Sequence, residues 1–296
     1  MFTVILSHCP LVEQRTCFII YTYKGFYTKR VVIASKFGGK KENFKQDIAF
    51  LKEHSFLFGW NLRKRCVIIK VTNGKFYKMG GNDMDTVIKN LRKNNINVIS
   101  CATKEEIPAI VEKMLFEGAI LTAGGSESVK ECGVWDFIQK PCYRFYNRLK
   151  KDMTEEEREQ VFKAVVGSDF YFCSANAITE NGEIVNVDGL SNRVSAIAFG
   201  PKKVIMVVGK NKIVKDLNEA FLRVKKIAAP KNCVRLGLDT PCAKLGHCVS
   251  LLNNENPAFA DGCQSPRRIC TNYLVTARQN HEGRLYVILC DEALGY

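Results

Sequence analysis

An α/β fold with a parallel sheet is the expectation for this 296-residue chain, and three observations carry it. From residue 85 onward, short apolar runs alternate with segments of helical spacing, the order that successive βα units require. Residues 203–208, Lys-Val-Ile-Met-Val-Val, form an apolar run of the kind that is buried on both faces of a parallel sheet. Between the apolar run 170–173 and the helical spacing of 194–199 lies a polar stretch, 174–193, with almost nothing that fills a core. α/β proteins place their chemistry on loops at strand ends, so that stretch is the leading functional candidate.

Length and charge bound the alternatives. A chain of this size buries about 75% of its unfolded surface and needs no disulfide staples. The formal charge of +14 is uneven, because residues 1–83 carry 15 Lys/Arg against 5 Asp/Glu while the rest carry 29 against 25. A nucleic-acid function therefore rests on residues 1–83 alone, and nucleic acid is not an expected partner of the larger part. Thirteen cysteines are odd in number and spread along the chain. Glu13 and Arg15 interrupt the first apolar residues, which lack the basic leader of a signal peptide. No run approaches the roughly 18 apolar residues that span a bilayer. These features predict a cytoplasmic protein whose cysteines serve as fillers, ligands or nucleophiles.

Taken in order, residues 1–83 are basic and aromatic, with strand-like fragments at 17–23 and 63–70 but no lasting periodicity. Basic residues interleaved with aromatics suit a nucleic-acid surface. The competing reading is upstream sequence translated in error. Gly80-Gly81-Asn82-Asp83-Met84 can be encoded with a GGAGG stretch just before an ATG, as a bacterial ribosome-binding site requires. The expected native start is Met84, and the expected domain covers residues 84–296.

Val87, Ile88 and Leu91 have helical spacing, and Asn94-Asn95 closes that element. Residues 96–101 alternate like a strand. Thr103 and Glu106 form a capping box before a helix with Ile107, Ile110, Val111 and Met114 on one face. A strand over 119–122 leads into Gly124-Gly125-Ser126 and a helix from Glu127, an arrangement that can aim backbone N–H groups at an anion. The aromatic, basic connection 142–151 reads as a lid or as a loop packed by its own rings. Thr154 caps a helix reaching about Val166, with its acids at the favourable end of the dipole. Asn181-Gly182 and Asp188-Gly189 are hairpin signals. After the strand at 203–208, Asn211 and Lys212 emerge at a strand end, and an amphipathic helix over 216–227 is expected to stop at Pro230. Residues 272–277 and 285–290 read as closing strands.

The stretch 174–193, the run Phe199-Gly-Pro-Lys-Lys-Val-Ile-Met-Val-Val-Gly-Lys-Asn-Lys-Ile-Val, Thr240-Pro-Cys-Ala-Lys, Gly124-Gly-Ser and the terminal Ala293-Leu-Gly-Tyr together resemble the LUD-domain family of lactate-utilisation proteins. The resemblance covers about residues 84–296. It implies a Rossmann-like three-layer α/β/α sandwich of the NagB/RpiA/CoA-transferase-like group, and contact between Gly124, Gly125, Ser126 and a ligand. It also implies a role in oxidising L-lactate or a related hydroxy acid. That role calls for separate iron–sulfur redox partners, since this chain has no Gly-x-Gly-x-x-Gly fingerprint. The alternative is a stand-alone isomerase or acyl/CoA-transfer enzyme acting on a phosphorylated or CoA-linked small molecule. The family usually has glycine where this chain has Ser191.

Residue chemistry supplies the roles. Glu180, Glu183 and Asp188 are the candidate catalytic carboxylates, with Glu180 and Glu183 equally well read as shoulders of a hairpin. Asn176 and Asn192 can orient a substrate, while Arg193 can bind a small anionic metabolite bidentately. Asn211 and Lys212 are further ligand-binding candidates. Within the cysteine-rich loop 242–270, Cys242, Cys248, Cys263 and Cys270 are candidate ligands for zinc or an iron–sulfur cluster, with His247 as an additional donor. The cofactor is otherwise left open. An inserted stretch, 250–260, separates the second and third cysteines, at little entropic cost for a loop.

Overall fold

The computed structural model describes residues 84–150 and 152–296, and four backbone strands of the segment before them. The chain divides into two compact units, Met1–Gly81 and Asn82–Tyr296. In the first, β1 (Cys17–Tyr23), β2 (Lys29–Ser35), β3 (Val67–Thr72) and β4 (Lys75–Met79) form one sheet in that order. Its β2–β3 pair is parallel and the outer pairs are antiparallel. Both strand-like fragments of the sequence thus contain strands. The proposed start signal at residues 80–83 lies outside the described residues.

The second unit opens with α1 (Met84–Lys93), which buries Val87 and Leu91. Asn95, at φ 58°, turns the chain into β5 (Asn97–Cys101), as its small polar side chain permits. Glu106 Oε1 accepts from the Thr103 N–H at 2.9 Å, starting a 3₁₀ turn that runs into α2 (Ile107–Glu112). There follow β6 (Ile120–Ala123), the short helices α3 (Glu127–Glu131) and α4 (Val134–Phe137), and β7 (Arg144–Tyr146). The connection 142–151 therefore contains an edge strand, fixed by Phe145 edge-on to Trp135. Thr154 and Glu157 cap α5 (Glu155–Gly167) reciprocally, and β8 (Phe170–Cys173) is buried throughout.

A hairpin of β9 (Ala177–Thr179) and β10 (Ile184–Asp188) precedes α6 (Asn192–Ala198) and β11 (Lys203–Gly209). Beyond β12 (Ile213–Val214), α7 (Leu217–Arg223) does not stop at Pro230. It passes through a π-helical turn, Val224–Ala228, into α8 (Ala229–Arg235). Pro230 stands at the start of α8, where a missing N–H costs little, and the widened turn absorbs its ring. The chain closes with α9 (Pro241–Leu245), β13 (Asn272–Thr276) and β14 (Leu285–Cys290).

Six strands form a parallel sheet in the order β5-β14-β11-β8-β6-β7. Side chains alternate across it. Tyr171, Cys173, Val204, Met206 and Val208 pack toward α1, α6 and the β9–β10 hairpin. Phe170, Phe172, Ile205, Val207 and Ile288 pack toward α2, α3 and α4. The result is the expected three-layer α/β arrangement, supplemented on one side by a second sheet, β12-β9-β10-β13. No helix among the described residues is long and apolar enough to cross a membrane.

Candidate functional site

Three parallel strands end together. β6 runs into Gly124-Gly125-Ser126, β8 into Ser174, and β11 into Lys210-Asn211-Lys212. After β6 the chain turns to the face holding Val129, whereas after β8 it turns to the opposite face with Ala175 and Ile178. Neighbouring strands whose continuations part in this way open a crevice between them. A pocket fills it, with Ser126, Ser128, Ser174, Asn176, Arg193 and Lys212 in its wall. Asn232 and Tyr296 line it as well.

Lys212 is 3% exposed, and its Nζ donates to Ser128 Oγ at 2.8 Å and to Ser174 Oγ at 2.9 Å. Both hydroxyls spend their own protons on backbone, Ser174 on the Val207 carbonyl at 2.6 Å and Ser128 on that of Leu294 at 3.1 Å. Ser174 is itself held through its carbonyl, which accepts from Asn186 Nδ2 at 2.9 Å. Burial, and after it the Arg223 and Arg193 guanidiniums, lowers the Lys212 pKa from 10.5 to about 7; Glu131 and Cys173 act in the opposite sense. Arg223 is anchored by donating Nη1 to the Asn176 carbonyl at 2.5 Å and Nε to that of Asn211 at 3.2 Å.

Arg193 is positioned twice. Asp188 Oδ2 accepts from the Arg193 N–H at 2.8 Å and from the Val194 N–H at 3.3 Å, so this carboxylate fixes the start of α6. Asn176 Oδ1 then accepts from Arg193 Nη2 at 3.2 Å, and the Val187 carbonyl takes the same nitrogen. Nη1 makes no hydrogen bond among the described residues, and the side chain lines the pocket. Beneath it, a Cβ on Gly124 would stand 2.8 Å from Tyr171 Oη and 3.6 Å from Arg193 Cδ. That buried phenol has no partner among the described residues, and burial raises its pKa.

The predicted residues fall into two groups. Gly125, Ser126, Asn176, Arg193 and Lys212 meet at the pocket. Asp188 and Gly124 shape it from behind. Asn192 instead sits against the Arg148 guanidinium, and Asn211 clasps the Leu294–Gly295 backbone. Glu180 and Glu183 are not brought to the pocket. They flank the Gly182 turn of the hairpin, which packs on α1 through Asn90 to the Glu180 carbonyl (2.7 Å), while Glu183 is taken by Thr179. Asp188-Gly189 is no hairpin turn either, because the Asp188 carboxylate is committed to α6. Ser128 and Asn232 lie outside every stretch the sequence points to as functional, while Ser174 and Tyr296 lie in the polar stretch and the terminal motif without an assigned role. A lone serine or asparagine carries no local signal, and Asn232 lies beyond the proline at which the helix was expected to end.

Another pocket lies at the π turn, where Cys242, Cys248, Cys263 and Cys270 line one cavity with Lys225. The inserted loop thus does not keep the four apart. Three of the four thiols have neighbours of their own: Cys242 Sγ is 3.7 Å from Cys233 Sγ, Ser250 donates to Cys248, and Arg268 Nε lies 3.3 Å from Cys270 Sγ. Among the described residues no three His, Cys, Asp or Glu side chains are arranged to hold a metal ion. His247 pairs its Nδ1 with the Cys248 carbonyl at 3.1 Å.

The model of the LUD domain matches residues 84–290, most of the unit that carries the two pockets described above. The chain belongs to the LUD-domain family. Membership supports a role related to lactate utilisation at the level of the family. Among solved structures, the LUD domain is similar to a DUF162 family protein from Deinococcus radiodurans determined at 1.70 Å resolution. The two share 13% identity with a TM-score of 0.40, over 70% of this chain and 95% of the other. No curated protein matches the chain.

Proposed function

We propose that the LUD domain, taken as residues 84–296, binds a small 2-hydroxy or 2-oxo acid in the pocket at the ends of β6, β8 and β11. Its role would be in L-lactate or related hydroxy-acid oxidation, beside separate iron–sulfur redox proteins. The observation that carries this reading is Arg193, oriented from two sides yet with Nη1 unengaged, lining the same pocket as Lys212. A guanidinium held in this way recognises a carboxylate at little entropic cost. The pocket's other walls include the Glu127 carboxylate, paired with Arg235 and Lys130, and hydroxyls and amides that suit a hydroxyl or carbonyl on the neighbouring carbon.

Calorimetric titration with L-lactate, pyruvate, inorganic phosphate and coenzyme A tests it. Binding of the two carboxylates is expected, weakened about tenfold or more in Arg193→Gln, with equal affinity for the chain starting at Met84. Binding of coenzyme A or inorganic phosphate instead would favour the isomerase or acyl-transfer reading. A separate proposal concerns the cysteine pocket: its thiols are the donor type that zinc or an iron–sulfur cluster takes, and binding would have to draw them together, since no three among the described residues are arranged to hold an ion. Metal analysis of anaerobically purified protein should find one of the two metals. If it finds neither, the thiols are packing groups.

A further inference from the structure

We propose that the Lys212 amine is a nucleophile that forms an imine with the carbonyl carbon of a small 2-oxo acid whose carboxylate is held by Arg193. The inference rests on the anion-binding reading above and adds a covalent step to it.

Hydrogen-bond accounting in the pocket wall carries it. Ser128 Oγ and Ser174 Oγ, at 2.8 and 2.9 Å, are the acceptors of Lys212 Nζ. Because each hydroxyl proton is already given to a main-chain carbonyl, neither serine offers a hydrogen to the amine. Two N–H bonds to two hydroxyl oxygens use both donors of a neutral amine and leave its lone pair free. An ammonium in the same place has a third hydrogen and no carboxylate bonded to it, at a site 3% exposed. The two serines also fix the nitrogen at the pocket wall, so the lone pair is presented rather than left to wander. The same accounting disfavours the serines as nucleophiles, since neither Oγ–H is directed at a base.

Charge acts in the same direction. The groups facing Lys212 are Arg223 on α7, Arg193 on α6, Glu131 on α3 and Cys173 on β8. The two cations outweigh the acid, and with burial they place the amine's titration near neutrality.

The step balances without an external oxidant or reductant. The nitrogen lone pair forms the N–C bond while the carbonyl π pair moves to oxygen, which takes a proton. The resulting carbinolamine loses its hydroxyl, with one nitrogen-bound proton, as water and leaves C=N. Hydrolysis reverses the sequence. A 2-oxo acid is the oxidised form of a 2-hydroxy acid, so the ligand class agrees with the family-level role.

The test is reductive trapping. The full chain is incubated near neutral pH with pyruvate and sodium cyanoborohydride, then read by intact mass and peptide mapping. One reduced pyruvyl adduct per chain is expected, on the peptide containing Lys212, with labelling on the order of a hundredfold above exposed lysines such as Lys163 and Lys244. L-Lactate should slow it, and Lys212→Arg should abolish it. Mapping on the unsubstituted chain locates the adduct even if that variant fails to fold. Binding of pyruvate by calorimetry without an adduct at Lys212, or labelling spread evenly over exposed lysines, overturns the imine and leaves the anion site standing. Absence of both binding and adduct removes the two together.

Discussion

Gly124 and Ser191 show how single residues set the pocket. Gly124 is required for close approach rather than for an unusual turn, since a methyl group there would meet the rigid Tyr171 phenol at 2.8 Å. Gly124→Ala is therefore expected to displace Tyr171 or Arg193, costing roughly 1–3 kcal/mol in a denaturant titration together with carboxylate affinity. Ser191 stands at φ 62°, in the left-handed region that glycine enters freely. The serine of this chain is therefore locally strained. Ser191→Gly should stabilise the protein by about 0.5–1 kcal/mol, read as a raised thermal midpoint with unchanged ligand affinity. These contacts were only half legible beforehand. The polar stretch and its arginine stood out, but the phenol that Gly124 must clear sits in an apolar strand 47 positions away.

At the scale of elements, α6 and the π turn do the positioning. Asp188 was read as a candidate catalyst, and its carboxylate instead anchors the first N–H groups of α6, at 2.8 and 3.3 Å. Asp188→Ala is expected to cost about 1–2 kcal/mol of stability, as loss of a helix-starting acceptor does. It should also weaken pyruvate binding without abolishing it, because Asn176 still holds Arg193. Calorimetry on Asp188→Ala and Arg193→Gln separates positioning from contact: equal losses would mean that Asp188 touches the ligand. The π turn illustrates what local rules leave open. Pro230 is a stop signal in an α-helix, yet one widened turn carries the helix onward and delivers Asn232 and Arg235. Arg235 then joins Asn232 to the Tyr296 hydroxyl, at 2.7 and 2.9 Å. The strands and helices themselves were largely readable, since apolar periodicity and capping boxes act over a few residues.

For the whole molecule, Lys212 is a folding liability retained at the pocket. Its folded pKa of about 7 lies below the ordinary 10.5. Between those values the unfolded chain binds the extra proton, so this group's contribution to stability rises with pH across that window. The penalty is fully present below about pH 7 and gone above about pH 10.5. Lys212→Met is accordingly expected to be more stable than the unsubstituted protein near pH 6, by on the order of 1–3 kcal/mol. The difference should shrink as pH rises through the window, in parallel chemical denaturation series. A difference independent of pH would show that the amine is not desolvated in the native state.

The succession of strands and helices and the location of the candidate site at strand ends follow from patterns written locally in the chain, whereas the order of the strands within the sheet appears only in the tertiary structure. Alternating apolar runs determine which segments become strands, and polar loops after them determine where chemistry can sit. The make-up of the site was a tertiary decision. Ser128, Ser174 and Lys212 come from three different strand ends, and no spacing in the sequence announces that their Oγ and Nζ atoms meet within 3 Å. Hydrogen bonds among side chains 38 and 84 positions apart exist only after the sheet brings those ends together. Local physics names the loops; packing alone chooses the partners.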